Sequence, residues 1–111
     1  MLKIAIVEDE EEEVALLEEG IKRFFAESGT EYITAVFRNG MKFLEGYRGD
    51  CDVVLMDIEM PLLDGFRTAQ KLREIDPSVT LIFITNMPNY AVKGYEVDAL
   101  GFIVKPVATW R

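Results

Sequence analysis

The sequence contains no histidine and only one cysteine in 111 residues. Without histidine, any mechanism that needs an imidazole base, metal ligand or phosphocarrier must take it from a partner. The lone Cys51 excludes an internal disulfide, makes a reducing cytosol the expected compartment, and reads as a small apolar filler at the start of a strand. Basic residues are scarce too: 12 Lys and Arg stand against 20 Asp and Glu, a net charge of -8. That balance argues against direct nucleic-acid binding, which needs basic patches, and suits a cation or a basic partner surface. No apolar run approaches the ~20 residues of a membrane span. The amino terminus, Met1 to Glu8, meets acids too soon for a secretory signal. No glycine-rich loop follows the first apolar run, which disfavours a nucleotide- or flavin-binding domain. Neither a repeat nor a low-complexity linker divides the chain, so one domain over 1–111 is expected.

The apolar half of the chain comes in short, regular pieces. Five runs rich in β-branched residues, 3–7, 32–37, 52–57, 80–85 and 101–104, read as strands. Four helical patterns lie between them. The first, about 11–28, puts Val14, Leu17, Ile21, Phe24 and Phe25 on one stripe, with Ser28-Gly29 as its stop. The second, about 40–48, carries Met41, Phe43, Leu44 and Tyr47. The third, about 65–75, carries Phe66, Ala69, Leu72 and Ile75, with Asp64 as N-cap and Pro77 beyond its end. The fourth, about 88–98, carries Tyr90, Ala91 and Tyr95 and is interrupted by Gly94. Strands alternating with helices predict βαβ units and right-handed crossovers around a parallel sheet.

The chemistry is expected where the strands end. Asp57 closes the run Val53-Val54-Leu55-Met56 and precedes a loop containing Pro61 and Gly65. Open α/β sheets place their ligands at such carboxyl ends. Glu8 and Asp9 close the first run, Thr85 the fourth and Lys105 the last. Strands that all point one way bring these groups to one edge: three acids, a hydroxyl and an ammonium. Such a set suits a hard divalent cation and a phosphoryl group, and without metal at least one of the crowded carboxylates should have a raised pKa. The rest of the acidic block, Glu10 to Glu13, reads as the solvated first turn of a helix. Plainer readings exist for single residues. Asp57 could cap its loop, Lys105 could snorkel at a sheet edge, and Phe102 could be core filler.

Taken in order, Glu8-Asp9, Asp57 with Met60-Pro61 and Asp64-Gly65, Thr85, and Lys105-Pro106 resemble the receiver domain of two-component response regulators. The stretch from Ile84-Thr85-Asn86 through Gly94-Tyr95-Glu96-Val97-Asp98-Ala99-Leu100 to Lys105-Pro106-Val107 is most similar to receivers of the LytTR class. The resemblance implies a flavodoxin-like, doubly wound, five-stranded parallel sheet of order 2-1-3-4-5. It implies that Asp57 takes a phosphoryl group from a sensor histidine kinase or a small acyl phosphate, as part of a phosphorelay. Mg²⁺ would be held by the side chains of Asp9 and Asp57 and the backbone carbonyl of Glu59, with Glu8 acting through a bound water. Lys105, aimed by a cis peptide before Pro106, would reach a phosphoryl oxygen. Thr85 would donate its hydroxyl to another, and Thr85 and Phe102 would form the switch. Glu59 and Met87 would flank the path of the hydrolytic water. Pro61, Gly65 and Pro106 would be structural.

Only five residues follow Lys105-Pro106, whereas the family continues with a fifth helix. The sequence is therefore expected to be a truncated receiver with four helices and no output domain. A fragment, a gap filled by a second copy, and an exposed apolar patch all remain open, with a self-associating form favoured. The leading function is a cytoplasmic signalling switch, not an ordinary enzyme, whose output is transcription. Two other classes compete: a phosphorylation-independent interaction module, and a phosphatase with an aspartyl nucleophile and Glu59 as general acid.

Overall fold

All five apolar runs become strands: β1 Leu2–Val7, β2 Tyr32–Phe37, β3 Val53–Asp57, β4 Thr80–Thr85 and β5 Gly101–Val104. The computed structural model describes residues 1–86 and 94–105, with Tyr95 described by its backbone alone. The strands form one parallel sheet in the order β2-β1-β3-β4-β5. Among the described residues the helices are α1 Glu11–Ala26, α2 Gly40–Gly46 and α3 Gly65–Ile75. Most of the expected fourth helix, together with Met87, Tyr90, Ala91 and Pro106, lies outside the described residues. Its described end is a short 3-10 helix, Tyr95–Val97.

The runs are continuous rather than alternating because both faces of the sheet are covered. Period two sends Ile4, Ile6, Leu55 and Ile84 to one face, against Val14, Leu17 and Ile21 of α1. Ala5, Val7, Val54, Met56, Leu81 and Phe83 go to the other, against Phe43 and Tyr47 and against Ala69 and Leu72 of α3. Each such side chain contributes roughly 1.5–3 kcal/mol by leaving water, so the two layers dominate the fold. Toward β5, Ile82 and Ile103 on the α1 face are only half-buried.

Local signals fix the helix starts. The Asp64 carboxylate accepts from the Arg67 N–H at 2.8 Å, and the Asn39 side chain does the same for Lys42, also at 2.8 Å. The Asn39 cap starts α2 and was not anticipated from the sequence. Three stripe positions depart from expectation: Phe24 is 67% exposed, Met41 52% and Ile75 56%. Phe24 and Ile75 lie in the last turns of their helices, at the margin of the apolar stripe, where the sheet no longer faces them. Leu100, 74% exposed, also stays outside the core.

Candidate functional site

The crossover from β2 back across β1 to β3 makes the strand order reverse at the β1/β3 boundary, and the carboxyl ends of these two strands flank the resulting crevice. Backbone pairing continues past the strands there. The Glu8 N–H donates to the Phe37 carbonyl at 3.0 Å and the Lys105 N–H to the Thr85 carbonyl at 2.8 Å. Period two then places Glu8, Asp57 and Lys105 on the same face as Ile6, Leu55 and Ile103. Thr85 falls on the face of Phe83.

Glu8 is fully buried, Asp57 is 2% exposed and Thr85 is buried. The Lys105 ammonium lies 3.2 Å from Glu8 Oε2 and 3.4 Å from Asp57 Oδ1, its side chain 11% exposed. It stands between two buried carboxylates as a point charge. The other Glu8 oxygen, Oε1, accepts from the Glu10 N–H at 3.2 Å. Gly65 explains how the loop after Asp57 closes. Its N–H donates to the Ile58 carbonyl at 2.8 Å, and a Cβ there would stand 2.0 Å from the Asp57 carbonyl oxygen. Only glycine lets the α3 start approach the end of β3 so closely. Pro61 accepts from the Leu63 N–H at 2.9 Å within the same loop, and Leu62 takes φ 71.

The electrostatics follow from burying two acids beside one cation. Burial, and then the neighbouring Asp57, push the Glu8 carboxyl up to about 8. Burial likewise pushes Asp57 up to about 6, against the pull of Lys105. Burial opposes the Lys105 ammonium, but Asp57 and Glu8 together outweigh it and raise its pKa. The metal-free site thus holds fewer negative charges at neutral pH than its composition suggests.

Four buried carboxylate oxygens lack a hydrogen-bond partner among the described residues: Glu8 Oε2, Asp9 Oδ1, Glu13 Oε2 and Asp57 Oδ1. Two of them, Glu8 Oε2 and Asp57 Oδ1, share the Lys105 ammonium as ion pairs, so one cation serves a cluster of buried acids and leaves room for more positive charge. Glu8, Asp9 and Glu10 also bring carboxylate oxygens within 4.8 Å of one another. All-oxygen donors around a partly neutralised pocket fit a hard cation such as Mg²⁺.

The structure gathers Glu8, Asp9, Asp57 and Lys105 at one edge, with Thr85 at the end of the adjoining strand. Glu59 is exposed, and Phe102 packs on Phe83 with ring centroids 5.4 Å apart. One acid of the block departs from its expected solvated place. Glu10 is exposed, as expected, though its carboxylate stands near those of Glu8 and Asp9, whereas Glu13 is half-buried, with its charge felt at Lys105. The position of Glu13, one helical turn beyond the strand end, was available as a signal but was hidden inside the acidic run.

Residues 4–111 match the family model for the response regulator receiver domain. The transcriptional regulatory protein YpdB of Escherichia coli K12 is 32% identical over 108 residues, covering 95% of this chain and 42% of that protein. The chain thus spans less than half the length of the curated relatives it matches first. Among solved structures, the response regulator protein TrrA of Thermotoga maritima in complex with Mg²⁺ and BeF is 28% identical. Its TM-score is 0.73, over 95% of this chain and 87% of that one. The BeF3-activated DrrB receiver domain, also from Thermotoga maritima, shares the fold with a TM-score of 0.80 at 24% identity, over 96% of this chain and 86% of that one.

Proposed function

This chain belongs to the response regulator receiver family, and we propose that it is a phosphorylation-controlled switch that takes a phosphoryl group onto Asp57 from a sensor histidine kinase. The observation that carries this reading is the Lys105 ammonium 3.4 Å from the near oxygen of a buried Asp57 carboxylate. A carboxylate so placed is a nucleophile with its charge partner ready.

In the proposed transfer, an Asp57 oxygen attacks phosphorus. A P–O bond forms as the P–N bond of the partner's phosphohistidine breaks, and the electron pair leaves with the imidazole, which takes a proton. The partner supplies the histidine that this chain lacks. Lys105 exchanges its carboxylate contacts for a phosphoryl oxygen and stays charged throughout, because its pKa is raised. Thr85 donates its hydroxyl to a second oxygen. Asp9, Asp57 and the Glu59 carbonyl, with Glu8 through water, would hold Mg²⁺, whose charge would offset the repulsion between carboxylate and phosphoryl group. Burial of Glu8 and Asp57 excludes competing water from the reacting oxygen.

Phosphorylation then shifts a balance between two packings of the Thr85–Phe102 region. A hundredfold change in that balance needs ~2.7 kcal/mol, within reach of a few charge-assisted hydrogen bonds. We place the chain in the cytoplasm, in the LytTR class, controlling transcription through an output beyond these residues. Self-association belongs to the same reading, supported by exposed Val104 and Leu100 around the β5 edge. The domain itself does not bind nucleic acid, in keeping with its net charge of -8. The phosphoryl group ends on the protein, so no external substrate turns over, and Glu59, exposed to solvent, gives no support to a phosphatase role.

The test is intact mass after incubation with acetyl phosphate and Mg²⁺. A gain of ~80 Da, absent in Asp57→Asn and in chelator, is expected. A folded wild type that gains nothing would leave the interaction module as the better reading.

A further inference from the structure

Gly94 interrupts a helical pattern, and on propensity alone an alanine would serve the helix better. The structure gives a reason for the glycine. A methyl group on Gly94 would stand 2.7 Å from Cε2 of Phe102, 3.6 Å from its Cδ2 and 3.4 Å from the Ala99 Cβ. The Phe102 ring stands against the bare Cα and also packs on Phe83, with ring centroids 5.4 Å apart. Gly94 and Ala99 are joined by an N–H to carbonyl bond of 3.0 Å, which closes the segment into a tight loop.

Arg73 of α3 holds that loop from outside. Its Nε donates to the Val97 carbonyl at 2.7 Å and Nη2 to the Asp98 carbonyl at 3.0 Å, while Nη1 donates to the Val79 carbonyl at 2.7 Å. One rigid guanidinium thus ties the loop to α3 and to the start of β4. The hold is strong enough to keep Asp98 at φ 52, a left-handed backbone in a non-glycine residue. Val97 is buried in the core at the same point, and the Leu100 N–H donates to the Leu81 carbonyl at 2.7 Å. The wall beside Phe102 is therefore fixed to the scaffold rather than free to follow the ring.

We propose that Gly94–Ala99 is a seat for the Phe102 ring, clamped by Arg73, and that the missing side chain of Gly94 is what admits the ring. The seat sets the balance between ring-in and ring-out packings, and through it the response to phosphorylation. The last step rests on the reading of Asp57 as phosphoacceptor; the seat itself does not.

Four versions of the full chain test it: wild type, Gly94→Ala, Phe102→Leu and the double variant, each labelled with 4-fluorophenylalanine. The Phe102 fluorine signal is the one lost in Phe102→Leu. Gly94→Ala should move that signal to a solvent-exposed position and weaken Mg²⁺-dependent beryllofluoride binding about tenfold by linkage. With leucine at position 102, Gly94→Ala should change that affinity less than about twofold, because no ring is left to evict. An unmoved fluorine signal, or an equal loss of affinity with and without the ring, overturns the proposal. If Gly94→Ala does not fold, the double variant must, and an unfolded double variant overturns the proposal too. A wild type that binds no beryllofluoride would count against the phosphorylation reading alone, leaving the fluorine signals to decide the seat.

Discussion

Carboxylates stand at both edges of the sheet, and their surroundings are opposite. At the edge that precedes β4, Asp76 accepts from the Tyr47 hydroxyl at 2.5 Å, from the Ser78 N–H and hydroxyl at 3.1 and 3.2 Å, and from the Val79 N–H at 3.1 Å. The Tyr47 hydrogen bond holds its carboxyl below the ordinary range. At the other edge Asp57 is buried beside Glu8, and one oxygen of each relies on the single Lys105 ammonium they share, at 3.4 and 3.2 Å. Burial drives the Asp57 pKa in the opposite direction, up to about 6. The same functional group is saturated in one place and under-satisfied in the other. A saturated edge adds to stability, whereas the other opposes it until more positive charge arrives. The site is the part of this fold that does not serve folding.

The comparison breaks most readily at Arg73. Arg73→Ala removes a guanidinium that serves four backbone carbonyls, those of Asp76, Val79, Val97 and Asp98. It should lower the unfolding free energy by about 3 kcal/mol, a sum of charged hydrogen bonds discounted for partial exposure. Urea denaturation measures it. A loss under ~1 kcal/mol would mean that this edge is no more stabilising than the other, and the contrast would fail.

Which of these features could be read in the sequence follows from the kind of partner each has. Asp57, Glu8 and Lys105 were legible because strand ends in a parallel sheet share an edge and period two puts them on one face. The strand order was carried by the family resemblance, which the observed sheet matches. Arg73 gave no signal, and Tyr47 could be read as core but not as a donor to Asp76. Arg73 binds backbone carbonyls, which any sequence offers, and Tyr47 meets Asp76 from 29 positions away. Gly94 could be read only as a helix break, because its meaning lies in the ring it faces. Phe24 was misjudged because helical spacing places it beside the stripe, and only the extent of the sheet decides which side of that margin is dry.

Asp57→Asn inverts the sign expected of a buried mutation. In metal-free buffer it should stabilise the protein by about 2 kcal/mol near pH 8, by removing one of two buried like charges. The pH profile sharpens the point. Glu8 and Asp57 have folded pKa values raised to about 8 and about 6 from 4.5 and 3.8. The folded state therefore binds more protons than the unfolded one between those values. Their contribution to stability is full below about pH 4 and is lost as pH rises through about 6 and then about 8. Metal-free wild type should lose stability from pH 5 to 8, and Asp57→Asn should lose less. Added Mg²⁺ should stabilise the wild type most at the alkaline end, where the carboxylates are free to bind it. Thermal unfolding across that range with and without chelator would show it. A flat metal-free profile would sink the account of the site as a strained edge.

The smallest effect comes from trimming one bond at the saturated edge. Tyr47→Phe keeps the ring in the core against Phe43, whose centroid lies 5.3 Å away, and deletes only the hydroxyl that donates to Asp76. The loss should be about 1 kcal/mol, the net worth of one hydrogen bond to a charged group that keeps its other partners. Its pH dependence runs opposite to that of Asp57. Asp76 has a depressed folded pKa, so the stability it contributes is present above its ordinary 3.8 and lost as pH falls through the folded value. Tyr47→Phe should therefore cost more at neutral pH than in acid, where protonation of Asp76 begins to remove the charge that the hydroxyl serves. Equilibrium denaturation at pH 3 and pH 7 gives the two values. An equal cost at both would show that the hydroxyl acts through packing rather than through the carboxylate, and the edge would owe its stability to its core side chains alone.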